Sequence, residues 1–136
     1  GMSDLPMIEH AVDVLGENDL VILHCTSTYP SQPEELNLRA IMTLRERFPS
    51  VPIGYSGHES GLATTLAAVA VGACVIERHV TLDRAMWGSD QAASVEPQGI
   101  QRLTRDIRSV ETALGDGNIK IYDSERPIID KLRRVG

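Results

Sequence analysis

The chain has 136 residues, room for one ordinary domain, and its 42% hydrophobic and 24% charged residues fit a packed core rather than disorder. A net charge of -6 argues against nucleic acid as a partner, because phosphate binding needs clustered Lys and Arg. No apolar run approaches the roughly 20 residues that span a bilayer and no signal peptide is visible, so no membrane contact is expected and a reducing cytoplasm is the default.

Along the chain, short β-rich runs alternate with longer helical periods. Leu5 to Leu15 reads as a helix, with Ile8, Val12 and Leu15 at helical spacing, Ser3 or Asp4 as the cap, Pro6 in the first turn and Gly16 at the end. Leu20 to Cys25 is a continuous apolar run of strand length, suited to a strand covered on both faces. A polar loop punctuated by proline follows from Thr26 to Pro33. Glu35 to Phe48 is again helical, with Leu36, Ile41, Leu44 and Phe48 apolar, and Pro49 stops it. Val51 to Tyr55 forms a second strand that ends in Ser56-Gly57-His58. Leu62 to Val71 reads as a buried helix closed by Gly72. Cys74 to Ile76 opens a third strand that runs into Glu77-Arg78-His79. After a loop from Thr81 to Pro97, Gly99 to Leu114 is a long amphipathic helix with Leu103, Ile107, Val110 and Leu114 on one stripe. The tail from Asn118 to Gly136 is polar and then basic. Cys25 and Cys74 sit inside apolar runs and are expected to be small buried hydrophobes, not a disulfide. Alternation of this kind implies an α/β fold with parallel strands, and both a doubly wound sheet and part of a (β/α)₈ barrel fit it.

Ionisable and polar residues gather just after each strand. Thr26, Ser27, Thr28 and Tyr29 follow the first, Ser56 and His58 the second, Glu77, His79 and then Asp90 the third. In parallel α/β architectures the loops at the C-terminal strand ends converge on the site. Side chains two apart share a face, so Ser56 and His58 point together, as do Glu77 and His79. Adjacent strands could then set His58 beside His79. Two imidazoles with oxygen donors nearby suit a divalent ion, Mn²⁺ more than Mg²⁺, with positions left open for water and substrate. Plainer roles exist for each residue. A lone histidine at a strand end is often only a hydrogen-bonded structural residue. Glu77 could pair with Arg78 or Arg102, Ser56 could cap the following loop, Asp90 could be a turn residue, and Tyr29 a packing aromatic. His24 is read as structural and His10 as solvated.

These residues also carry a family resemblance. Leu23-His24-Cys25-Thr26-Ser27-Thr28-Tyr29-Pro30 resembles the strand-and-loop signature of sialic acid synthases (N-acetylneuraminate synthases). Gly54-Tyr55-Ser56-Gly57-His58, Ile76-Glu77-Arg78-His79-Val80-Thr81-Leu82-Asp83, Gly88-Ser89-Asp90 and Ala93-Ser94-Val95-Glu96-Pro97 are similar to the segments that follow in that family. The resemblance implies a (β/α)₈ TIM barrel and the condensation of phosphoenolpyruvate with N-acetylmannosamine or a related N-acetylated sugar, with release of phosphate. It implies a divalent metal, usually Mn²⁺, held by His58 and His79, which polarises the sugar aldehyde. By the same resemblance Glu77 sits among the reacting groups and Asp90 holds sugar hydroxyls and orients metal-bound water. Tyr29 then contacts the sugar, and Ser27 and Ser56 contact phosphoenolpyruvate. Ser27 stands where some members carry Asn, and Gln91 where many carry His; Gln91 is given no catalytic role.

A complete (β/α)₈ barrel needs about 250 residues. Residues 1–136 therefore read as the C-terminal portion of such a barrel, about three β/α units, without the small antifreeze-like domain that many members carry. The family's earlier strands supply lysines that bind phosphoenolpyruvate and an acidic residue that acts on the sugar, so the isolated chain is expected to be inactive. Gly1-Met2-Ser3 resembles the end of the preceding strand, or a glycine ahead of an initiator methionine. Lys131-Leu132-Arg133-Arg134-Val135 resembles the end of shorter members. Open sheet edges lead to the expectation of a homo-oligomer, paired across a two-fold axis. Two other functions stay open: a non-catalytic half-barrel that binds a sugar or phosphoenolpyruvate, and a metal hydrolase using Glu77 and Asp90.

Overall fold

The computed structural model describes residues 1–133; Arg134 and Val135, on which part of the chain-end resemblance rests, lie outside the described residues. Helix α1 spans Leu5–Leu15. Asp4 caps it by accepting from the Met7 amide, Pro6 occupies the first turn, and Gly16 turns the chain out at φ 76° while its N–H reaches the Val12 carbonyl. Strand β1 is Ile22–Cys25. The next helix is shorter than its sequence predicts. A 3-10 turn at Pro33–Glu35 comes first, and α2 covers only Ala40–Arg47. Asn37 lies between them at φ 41°, a left-handed conformation that asparagine tolerates and a continuous helix does not. The break still buries the expected stripe: Leu36, Ile41, Leu44 and Phe48 are all buried.

Strand β2 is Ile53–Gly57, α3 is Ala63–Ala70, and β3 is Ile76–Arg78. Helix α4 spans Pro97–Leu114, beginning at the proline that suits a first helical turn. It packs on α3 and buries Leu103, with Ile107 and Val110 half-buried, whereas Leu114 stays exposed. A helix that the tail's polar composition hid, α5, covers Arg126–Leu132. The signal for it was Pro127 at the helix start, with Ile128, Ile129 and Leu132 at helical spacing.

The three strands form one parallel sheet in the order β1-β2-β3. Register sets Ile22 beside Ile53, His24 beside Tyr55, and Tyr55 beside Ile76. On that face Ile53 and Tyr55 join Val12 of α1, Ile41 and Leu44 of α2, Phe48, Val51, Ala68 of α3 and Ala73 in a single core. All three helices thus cover one face of the sheet. A doubly wound fold would put helices on both, so the architecture is that of a (β/α) barrel, with the sheet not closed by the described strands. The opposite face carries Leu23, Cys25, Ser56, Val75 and Glu77, and it corresponds to the interior of such a barrel.

Both cysteines depart from expectation. They are free, but Cys25 is half-buried and Cys74 exposed. Cys25 falls on the uncovered face, with Sγ 3.7 Å from Nε2 of His58, and Cys74 precedes β3 and bonds the Ile53 carbonyl. Apolar neighbours in sequence did not bury them: Cys25 lies on the uncovered face, whereas Cys74 shares the side of Ile76 but sits ahead of the strand.

Candidate metal centre

Register decides which side chains meet. Cys25, Ser56 and Glu77 stand in one row across β1, β2 and β3. Two residues on, past the strand ends, parity returns Ser27, His58 and His79 to the same face. His58 and His79 have ring centroids 5.1 Å apart. His58, Glu77 and His79 each offer a ligand atom within 4.8 Å of the others, and all three are half-buried. The paired reading of the two histidines therefore holds in space.

The remaining predicted residues fall around this cluster at different distances. Ser56 Oγ donates to Glu77 Oε2 at 2.5 Å, so Glu77 pairs with neither Arg78 nor Arg102, and Ser56 is not a simple loop cap. Tyr29 stacks on His79 with centroids 4.7 Å apart and meets His58 edge-on at 5.1 Å. Its hydroxyl lies 3.1 Å from Ser94 Oγ, which itself donates to the Asp90 carbonyl. Asp90 Oδ2 lies 3.5 Å from Nδ1 of His79, and Ser89 Oγ donates to its other oxygen. Ser27 is exposed and lines a shallow recess with Met2, Thr26, Thr28 and Glu35, beside Cys25 rather than beside the histidines. Gln91 accepts a hydrogen bond from Thr81. His24 is structural as read, with Nε2 2.7 Å from the Leu36 carbonyl, and His10 is exposed.

The donor set fits a divalent ion. Two imidazoles and one carboxylate within reach of one another supply three donors, fewer than a divalent ion takes, so further coordination positions remain. Asp90 stands beside Nδ1 of His79 at 3.5 Å, close to the place of the carboxylate that commonly orients a ligating imidazole, but without a hydrogen bond to the ring.

Sequence reasoning passed over Glu59 and Arg78, which form a buried ion pair at 3.2 Å with only 3% and 2% of their side chains exposed. Glu59 also accepts from the hydroxyls of Tyr55, Thr64 and Thr65. Burial works to raise its pKa, but its own amide, the Arg78 charge and the Thr64 and Tyr55 hydroxyls outweigh this and hold it below the ordinary carboxylate value. Burial, followed by the bond to Glu59, pushes the Tyr55 hydroxyl well above its usual pKa. The available signal was parity: Tyr55, Gly57 and Glu59 share the helix-facing side with Arg78.

The sequence profile of the NeuB family matches residues 1–119. The chain belongs to the NeuB family. Among curated NeuB-type relatives, it is 46% identical to the N-acetylneuraminate-9-phosphate synthase of Homo sapiens over 131 residues, covering 96% of this chain and 36% of that one. It is 44% identical to the N,N'-diacetyllegionaminic acid synthase of Campylobacter jejuni, covering 98% of this chain and 41% of the relative. The crystal structure of N-acetylneuraminic acid (sialic acid) synthetase from Leptospira borgpetersenii superposes with a TM-score of 0.83 at 36% identity, over 99% of this chain and 49% of that one. This NeuB chain thus spans well under half the length of the curated relatives it matches.

Proposed function

We propose that this chain carries the metal-holding part of a synthase site that condenses phosphoenolpyruvate with N-acetylmannosamine or a related N-acetylated sugar, releasing phosphate. The observation that carries the reading is the convergence of His58, Glu77 and His79 at neighbouring parallel strand ends, in a chain whose relatives include an N-acetylneuraminate-9-phosphate synthase and an N,N'-diacetyllegionaminic acid synthase. His58 and His79 would hold the ion, and imidazole favours Mn²⁺ over Mg²⁺. The bound ion would supply Lewis-acid polarisation of the open-chain sugar aldehyde.

The protein's own groups divide the remaining work. Glu77, held by Ser56, would meet the reacting carbonyl. Asp90, beside the His79 ring and half-exposed, is free to take sugar hydroxyls. The Tyr29 ring packs against both imidazoles and would contact the sugar from there. Ser56 and Ser27 contact phosphoenolpyruvate, Ser56 from beside Glu77 and Ser27 from the outer rim. The lysines that hold phosphoenolpyruvate belong, by the resemblance, to strands that precede this stretch in its relatives. We therefore infer that residues 1–136 alone bind an ion without turnover. The setting is a cytoplasmic homo-oligomer; no helix among the described residues is long and apolar enough to cross a membrane.

The test is phosphate release from phosphoenolpyruvate with a panel of N-acetylated hexosamines, run on the chain co-expressed with the portion of a relative that it does not span. Sugar-dependent phosphate release is the expected result. Release without sugar, or none at all from a soluble complex, overturns the synthase reading.

A further inference from the structure

We infer that the buried Glu59–Arg78 pair is a positioning clamp that fixes the separation of His58 and His79 from behind the sheet. The inference rests on the metal reading above and adds residues that touch neither ion nor substrate. Glu59 directly follows His58, and Arg78 directly precedes His79. Side-chain alternation therefore sends the two histidines to the open face and the ion pair to the helix side.

The strand ladder between β2 and β3 ends at Gly57 and Arg78, so neither histidine is held by it. What holds them is separate. The His58 carbonyl accepts from the Ser31 amide at 3.0 Å, and the His79 carbonyl from the Val95 amide at 2.8 Å. Those bonds tie each histidine outward, to a different loop, and not to each other. Beyond the last ladder pair, Gly57 and Arg78, the link between the two segments is the ion pair. Arg78 Nη1 donates to Glu59 Oε1 at 3.2 Å, to the Gly61 carbonyl at 2.9 Å and to Thr65 Oγ1 at 2.7 Å, while Nη2 donates to the Glu59 carbonyl at 2.6 Å. Arg78 Nε has no partner among the described residues, and the guanidinium is gripped at its two terminal nitrogens.

Glu59 is fixed in turn. Its two carboxylate oxygens take the Tyr55 hydroxyl from β2 and the Thr64 and Thr65 hydroxyls from α3 and its start. The packing leaves little slack: a Cβ on Gly57 would lie 2.8 Å from both Arg78 Cδ and Glu59 Oε2. A planar fork can serve two nitrogens' worth of acceptors at once, and an ammonium cannot. The pair thus fixes the distance between two backbone points, each one residue from a metal ligand. Ligand sets are sensitive to such support, and loss of an outer partner commonly costs 10–100-fold in metal affinity.

The test separates positioning from stability. Glu59→Gln, Arg78→Met and the double variant are prepared in the full chain and kept below their unfolding temperatures. Mn²⁺ and Co²⁺ affinities are measured by calorimetry, and the visible absorption of bound Co²⁺ reports coordination geometry. The single variants each leave a buried charge and lose both stability and affinity. The double variant removes both charges and regains stability, yet its metal affinity is expected to stay about 10–100-fold weaker, with an altered Co²⁺ spectrum. Arg78→Lys, which keeps the charge and loses the fork, is expected to fall on the weak side. A folded double variant with unchanged affinity and spectrum overturns the clamp and leaves the metal reading intact. If the unaltered chain binds neither ion, the metal reading fails first and the clamp falls with it.

Discussion

At the scale of single residues, the proposed ion site and the buried Tyr55 hydroxyl can be tested separately. His58→Ala or His79→Ala removes one of two imidazoles from a three-donor set, and calorimetry with Mn²⁺ should show binding lost from either variant. Heat of the wild-type size from both would exclude this site. Tyr55 offers a pH signature away from the ligands. Its hydroxyl is raised above the ordinary value of 10.0 because burial and Glu59 favour the protonated form. The folded state therefore holds its proton more tightly than the unfolded chain. That contribution is complete below about pH 10 and is lost as pH rises past it. Denaturant unfolding between pH 8 and 11 should show stability falling in the native protein, with a shallower slope in Tyr55→Phe. The phenylalanine variant should also lose about 1.5–3 kcal/mol near neutrality, the usual worth of a hydrogen bond to a charged group.

Among the secondary elements, stability depends on which positions of each stripe reach the sheet. Ile41 of α2 is fully buried against Ile53 and Tyr55, and Ile41→Ala should cost about 2–5 kcal/mol in chemical denaturation. Leu15 and Leu114 carry the same periodic signal but are 69% and 53% exposed. Their alanine variants should stay within about 0.5 kcal/mol of the parent. Asp4→Ala deletes the α1 cap and should cost about 1 kcal/mol. The helical periods in the sequence located α1 and α4 to within two residues of their starts, because capping residues and prolines act locally. They missed the break at Asn37, since a stripe of apolar residues looks alike whether the helix runs through or restarts. They missed α5, whose short apolar pattern is diluted by charge.

For the molecule as a whole, α1, α2 and α3 cover one face of the sheet and leave the other uncovered by helices among the described residues. Both outer strands present free edges, and Leu23, Val75 and Cys25 point into the open side. Such a surface favours association, with a second copy or with further strands of a barrel. Size-exclusion chromatography with light scattering should report a dimer or larger species at micromolar concentration. A stable monomer there would remove the proposal of a homo-oligomer and leave the site proposal untouched.

The sequence by itself determined the alternation of helices and strands from α1 to α4, the gathering of polar groups after each strand, and the parity that pairs Ser56 with His58 and Glu77 with His79. These are local properties, set by the two-residue repeat of a strand and the chemistry of turns. It also held the family motifs, because they are contiguous. Only the tertiary structure decided that the helices share one face, that Glu77 bonds Ser56, and that Cys25 lies beside His58. It alone joined Glu59 to Arg78 behind the two histidines. Those contacts link residues 19 to 33 positions apart, and strand register and crossover packing, which no local period encodes, bring them together.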